Sequence, residues 1–165
     1  DEETAQIAVR SALTGHLVLS TLHTNDAVSS IIRLIEMGVP PYLVASTVKG
    51  VIAQRLVRKL CSKCKKKYEN KIHKNKKLEL KNQIEIYYKA KGCKKCNNTG
   101  FYKRTGIYEI LVINNEIRKM IINGKSREKV YKCAEKNGLI SMKKDGLEKM
   151  RKGITSYKEL ARIIL

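Results

Sequence analysis

The 165-residue sequence has no tryptophan and a single phenylalanine. So few large rings leave few platforms on which single-stranded bases could stack. Acidic residues are scarce as well, 15 against 35 lysines and arginines, for a net charge of +20. No run of apolar residues is long enough to cross a bilayer, and no segment has the pattern of a signal peptide. There is no initiator methionine; the chain opens at Asp1, which suggests a piece of a longer protein. At this length one respectable core with a small appendage is expected.

A charge of +20 is compatible with nucleic acid or an anionic membrane face. Lysine far outnumbers arginine, however, and Lys, Asn and Ile are abundant together. That pattern fits a composition-wide bias better than dedicated phosphate contacts, where the bidentate arginine fork is favoured. The sequence therefore predicts mostly solvated lysines and no specific nucleic acid partner.

Cysteine is the informative presence. Four of the five cysteines form two Cys-x-x-Cys pairs, Cys61-Ser-Lys-Cys64 and Cys93-Lys-Lys-Cys96. Each pair sets two thiolates on one tight turn, and two such turns make a closed tetrahedral sulfur shell, the arrangement zinc prefers in structural sites. Structural zinc on Cys61, Cys64, Cys93 and Cys96 is predicted, in a reducing compartment; iron and a disulfide framework are the competing readings. A closed shell has no open position for substrate, so any chemistry lies elsewhere. His73 is a weak fifth candidate, because four thiolates already complete the shell. Cys133 falls on an apolar helical stripe and reads as a small buried hydrophobe.

Residues 1–60 alternate helical and extended patterns, as in part of an α/β sheet. Ala5, Ala8, Val9 and Ala12 recur at helical spacing up to Thr14-Gly15. Leu17–Leu22 is a nearly continuous apolar run, expected to be a strand covered on both faces. Thr24 or Asn25 is placed to cap a helix with Val28, Ile31, Ile32 and Ile35 on one face. Pro41 can open a short helix, and Val51–Val57 reads as a strand. From 61 to 101 a Lys-rich stretch shows little periodicity before Ile84–Tyr88, which suggests a metal knuckle without a core of its own. From 102 to 165 a strand over Gly106–Ile113 precedes short helices over Glu116–Asn123, Arg127–Asn137 and Met142–Lys152. A last helix opens on a capping box of Ser156 and Glu159.

The segment Ala12-Leu-Thr-Gly-His-Leu-Val-Leu-Ser-Thr-Leu-His-Thr-Asn-Asp-Ala27 resembles the region after the Walker B segment in hexameric ATPases of type II secretion and type IV pilus assembly. Asp1-Glu-Glu-Thr-Ala5 is similar to the tail of that segment. Met37-Gly38, Ala53-Gln-Arg-Leu56, Arg58-Lys-Leu-Cys61, Gly92-Cys93, Thr99-Gly-Phe101, Arg104–Glu109, Asp145-Gly146 and Gly153–Ser156 follow in the family's order. The resemblance implies a partial RecA-like P-loop NTPase core over 1–60, an inserted tetracysteine zinc knuckle over 61–101, and a strand plus C-terminal helical subdomain over 102–165. It further implies a cytoplasmic ring of six copies, peripheral at the inner face of the membrane. There ATP hydrolysis with magnesium would drive an inner-membrane platform protein. Family members with the cysteine pairs are those of secretion and pilus extension.

The sequence departs from the family's pattern: it contains no Gly-x-x-x-x-Gly-Lys-[Ser/Thr] loop to cradle the β- and γ-phosphates, and the catalytic glutamate that the resemblance places just upstream of Asp1 and the amino-terminal domain with its nucleotide-contacting arginines are not in it either. By itself the 165-residue chain is expected to hydrolyse no ATP. His23 ends the Leu17–Leu22 run just before a helix start, where strand ends and helix N-termini receive ligands and anions. Position alone leaves a structural histidine open; the resemblance implies a catalytic, γ-phosphate-sensing one. Arg55 either approaches nucleotide or a neighbouring subunit, or is a solvated strand-end arginine. Asp26 serves the first turn of its helix or supports His23, the former being preferred. Asp1 and Glu3 could face magnesium through water, and His16 reads as structural. The competing function is a zinc-ribbon nucleic-acid-binding module.

Overall fold

The computed structural model describes residues 1–71 and 84–164, in two compact units: Asp1–Ala53 with Glu109–Ser141, and Gln54–Tyr108 with Met142–Leu165. His73 lies outside the described residues. Among them, no helix is long and apolar enough to cross a membrane.

In the first unit, α1 (Glu2–Leu13) starts where the Asp1 carboxylate accepts from Thr4 N at 2.8 Å, and it buries Ala5 and Val9. Residues 16–24 then form neither helix nor strand and have no ladder partner among the described residues, and Leu17 and Leu19 are each 87% exposed. The strand expected over Leu17–Leu22 is therefore not formed. An apolar run becomes a strand only when a neighbour completes its hydrogen bonds, and neither ladder among the described residues reaches it.

Helix α2 (Ala27–Glu36) buries Val28 and Ile31 completely. Its cap is Asp26, not Thr24 or Asn25: Asp26 has extended backbone and accepts from Ser29 N at 2.8 Å. Thr24 is engaged elsewhere, its hydroxyl 2.7 Å from that of buried Ser30. Gly38, at φ +86°, turns the chain out of α2. Pro41 then opens α3 (Pro41–Thr47), which packs on α1 and α2.

The long strands β1 (Gly50–Leu60) and β4 (Phe101–Val112) pair with each other. In the first unit Ile113 N donates to Lys49 O, and in the second Cys61 N donates to Gly100 O, so the pairing is antiparallel. The first unit is completed by α4 (Asn115–Ile122), capped by Asn114, and α5 (Arg127–Lys136). Ile117, Ile121, Val130 and Ala134 face its core. Cys133 does not: it is half-buried, with its thiol 3.6 Å from Glu116 Oε2.

In the second unit, β2 (Lys66–Lys71) and β3 (Ile84–Lys89) form an antiparallel ladder with Lys66 opposite Lys89 and Lys71 opposite Ile84. Strand β2 carries no apolar alternation, which is why its sequence looks like a loop. The knuckle stretch does build core, contrary to its composition. Helices α6 (Met142–Arg151) and α7 (Tyr157–Ile164) pack on β3, and Tyr87, Met150 and Leu160 are each buried. Gly153, at φ +65°, lies so close to Tyr88 that a Cβ would stand 2.5 Å from its ring.

Candidate metal centre and histidine segment

Cys61 closes β1, and Lys65 N donates back to Cys61 O at 2.9 Å to make the first turn. The second turn is a single 3₁₀ turn, Lys94–Cys96, followed by Asn97 and Asn98, both with positive φ. Asparagine tolerates that region better than most residues. The reversal aims Gly100 N at Cys96 Sγ, 3.2 Å away. Gly92 makes the approach possible, since a Cβ there would lie 2.6 Å from Asn98 O.

All four sulfurs fall within 4.8 Å of one another. Cys61–Cys93, Cys64–Cys96 and Cys93–Cys96 are separated by 3.9, 3.8 and 3.7 Å. A metal–sulfur bond of about 2.3 Å in a tetrahedron requires edges of about 3.8 Å; a disulfide requires about 2.05 Å. The four cysteines are thus close enough to hold one metal ion, and their spacing is not that of disulfides. Burial pushes the Cys96 thiol up, but N–H groups of Cys93 and Gly100 outweigh it and bring the thiol down to about 6. Cys64 is raised to about 11 by burial and the neighbouring thiols, despite the Gly92 N–H.

His23 is exposed and sits in the irregular segment before α2. The helix end beside it is not open to an anion. Buried Glu109, from β4, accepts from Ala27 N at 3.0 Å, and Asp26 accepts from Ser29 N. Two carboxylates therefore occupy first-turn donors that a phosphate would need. Arg127 Nη2 donates to Asp26 Oδ2 at 2.6 Å and its Nε to Ser29 Oγ at 3.0 Å. Burial pushes the Asp26 carboxyl up, but Arg127 and Ser29 hold it below the usual range. Tyr131 donates to Glu109 Oε2 at 3.0 Å; burial and this carboxylate keep the phenol protonated well above its ordinary value.

Arg55 is exposed on β1 with a contact of its own, in the other unit from His23. Asp1 is spent on capping α1, Glu3 is exposed, and His16 Nδ1 lies 3.0 Å from the Thr14 hydroxyl. Sequence reasoning overlooked Glu109 and Arg127. Glu109 had a signal, the one charge inside the apolar run Ile107–Ile113. Arg127 had none.

Residues 1–162 match the family model described as type II/IV secretion system protein. The chain is 45% identical over 164 residues to the type II secretion system ATPase E of Vibrio cholerae, covering 99% of this chain and 32% of that protein. It is 44% identical over 169 residues to the type IV pilus assembly ATPase PilB of Thermus thermophilus, covering 99% and 19%. Among solved structures, the DotB ATPase of Yersinia pseudotuberculosis superposes with a TM-score of 0.66 at 18% identity, over 99% of this chain and 34% of that one. DotB of Legionella pneumophila gives 0.62 at 23%, over 99% and 36%. These two show the shared α/β fold. The chain belongs to the type II/IV secretion system protein family, and it spans a third or less of the length of these curated relatives.

Proposed function

We propose that this chain is the rear part of an ATP hydrolase that powers type II secretion or type IV pilus assembly. The observation that carries the reading is the match along almost the whole chain to proteins named as secretion and pilus ATPases, at 44–45% identity. In this reading 1–60 closes a RecA-like core, 61–101 is the metal knuckle and 102–165 is a strand with a helical subdomain. The metal is zinc, held by Cys61, Cys64, Cys93 and Cys96. Its role is structural, since four thiolates leave it no open coordination position.

His23 contributes an imidazole toward the γ-phosphate of ATP·Mg, and Arg55 contacts nucleotide. In this reading the imidazole, not the capped end of α2, meets the phosphate. The working protein is a cytoplasmic ring of six copies, peripheral at the inner membrane, acting on a platform protein there. The cysteine pairs support extension or secretion over retraction. No Gly-x-x-x-x-Gly-Lys-[Ser/Thr] sequence occurs in the 165 residues, so this stretch alone turns over no ATP. Magnesium-dependent phosphate release, compared between the full-length protein and the 165-residue piece, tests the reading. Release by the full-length protein only is expected. Release by neither, or equal release by both, would overturn it.

A further inference from the structure

We propose that Arg127 is a positioning residue for His23, acting through a two-carboxylate clasp on the first turn of α2. The inference rests on the reading of His23 given above and extends it to a residue 104 positions away in sequence.

His23 makes no hydrogen bond of its own among the described residues, so its place is set by what anchors the chain beside it. Those anchors come from several side chains. Thr24 is tied to buried Ser30 and to Asp26 O. Asp26 caps the helix and is gripped by Arg127, which also reaches Ser29. Ala27 N is held by buried Glu109, whose second oxygen takes the Tyr131 hydroxyl. Arg127 and Tyr131 both come from α5, so one helix face fixes the turn that carries the imidazole.

The Arg127 side chain is 44% exposed, and an ion pair that open adds little to stability. Capping needs only the Asp26 oxygen, which asparagine supplies equally well. The guanidinium, by contrast, serves two acceptors at once in a fixed fork, which is the arrangement that fixes direction. A displacement of about 1 Å at a reacting group can cost a hundredfold in rate.

The test is a double-mutant cycle in the full-length protein, with ATP turnover and nucleotide affinity both measured. R127A and D26N should each lower kcat about tenfold or more with nucleotide affinity held. D26N keeps the helix cap, so it serves where R127A does not fold. In an H23A background either change should have no further effect, because the clasp acts through an imidazole no longer present. R127K, which keeps charge but loses the fork, should recover little. Full additivity with H23A, unchanged turnover in D26N, or a loss confined to nucleotide affinity would overturn the proposal. If H23A itself leaves turnover unchanged, the reading of His23 falls and the clasp's role with it. If H23A is impaired and D26N is not, only the clasp falls.

Discussion

Glu159 is a carboxylate with no exposed side-chain surface, yet it is charged. Burial pushes it up, while the guanidinium groups of Arg162 and Arg58 and the Arg58 N–H outweigh that, bringing it from 4.5 down to about 2. A lowered native value means that the unfolded chain binds the proton first. The stabilisation is therefore complete above about pH 4.5 and disappears as pH falls toward 2. It amounts to no more than about 3 kcal/mol at about 1.4 kcal/mol per unit, a ceiling because both arginines are half in water. Urea unfolding at pH 7 and pH 3 should show this loss in the wild type and little of it in E159Q. An equal pH dependence in both would refute the assignment. The Ser156–Glu159 capping box was half legible. Ser156 Oγ does accept from Glu159 N at 3.2 Å, but the carboxylate turns to Arg58, 101 residues earlier, instead of closing the box. Local spacing could not announce a partner that distant, nor the grip of Arg127 on Asp26.

Elements were read best where period and punctuation agreed. Helix α1, α3 behind Pro41, and the helices ending near Gly124, Gly138 and Gly153 fall within a residue or two of expectation. Strand β2 was missed because its residues are polar, and the Leu17–Leu22 strand was expected because its residues are apolar. In both, pairing decided the outcome, and pairing is not written in one segment. Gly146 makes a sharper case. An alanine in a helix interior is normally worth up to 1 kcal/mol over glycine. Here its Cβ would stand 2.4 Å from Leu160 Cδ1, in the core between α6 and α7. Overpacking costs about 1–3 kcal/mol, so G146A should lower the midpoint of thermal unfolding, not raise it. The knuckle gives a second prediction. The purified protein should carry one zinc per chain. A chelator strong enough to remove it should lower the melting temperature and expose four further thiols to a thiol reagent. Metal-free protein with an unchanged melt would contradict a structural role.

Across the molecule, charge is divided unevenly. The second unit holds 25 lysines and arginines against six acidic residues, and the first holds ten against nine. That concentration of lysine in one unit is compatible with solvated side chains and with phosphate contacts alike. It also makes nucleic acid worth a direct test. Binding to duplex DNA that falls with salt at about −0.9 per phosphate neutralised, and survives at physiological salt, would favour the zinc-ribbon reading. Weak binding that is lost at that salt is the outcome consistent with a motor.

The central residue-level claim within the motor reading is that the exposed imidazole before α2 acts on bound nucleotide. Single-turnover hydrolysis and ATP affinity, measured side by side on full-length wild type and H23A, address it directly. The account predicts hydrolysis slowed by about a hundredfold or more, as for loss of a general acid–base or electrostatic group, with affinity nearly unchanged. Hydrolysis at the wild-type rate in H23A would contradict it.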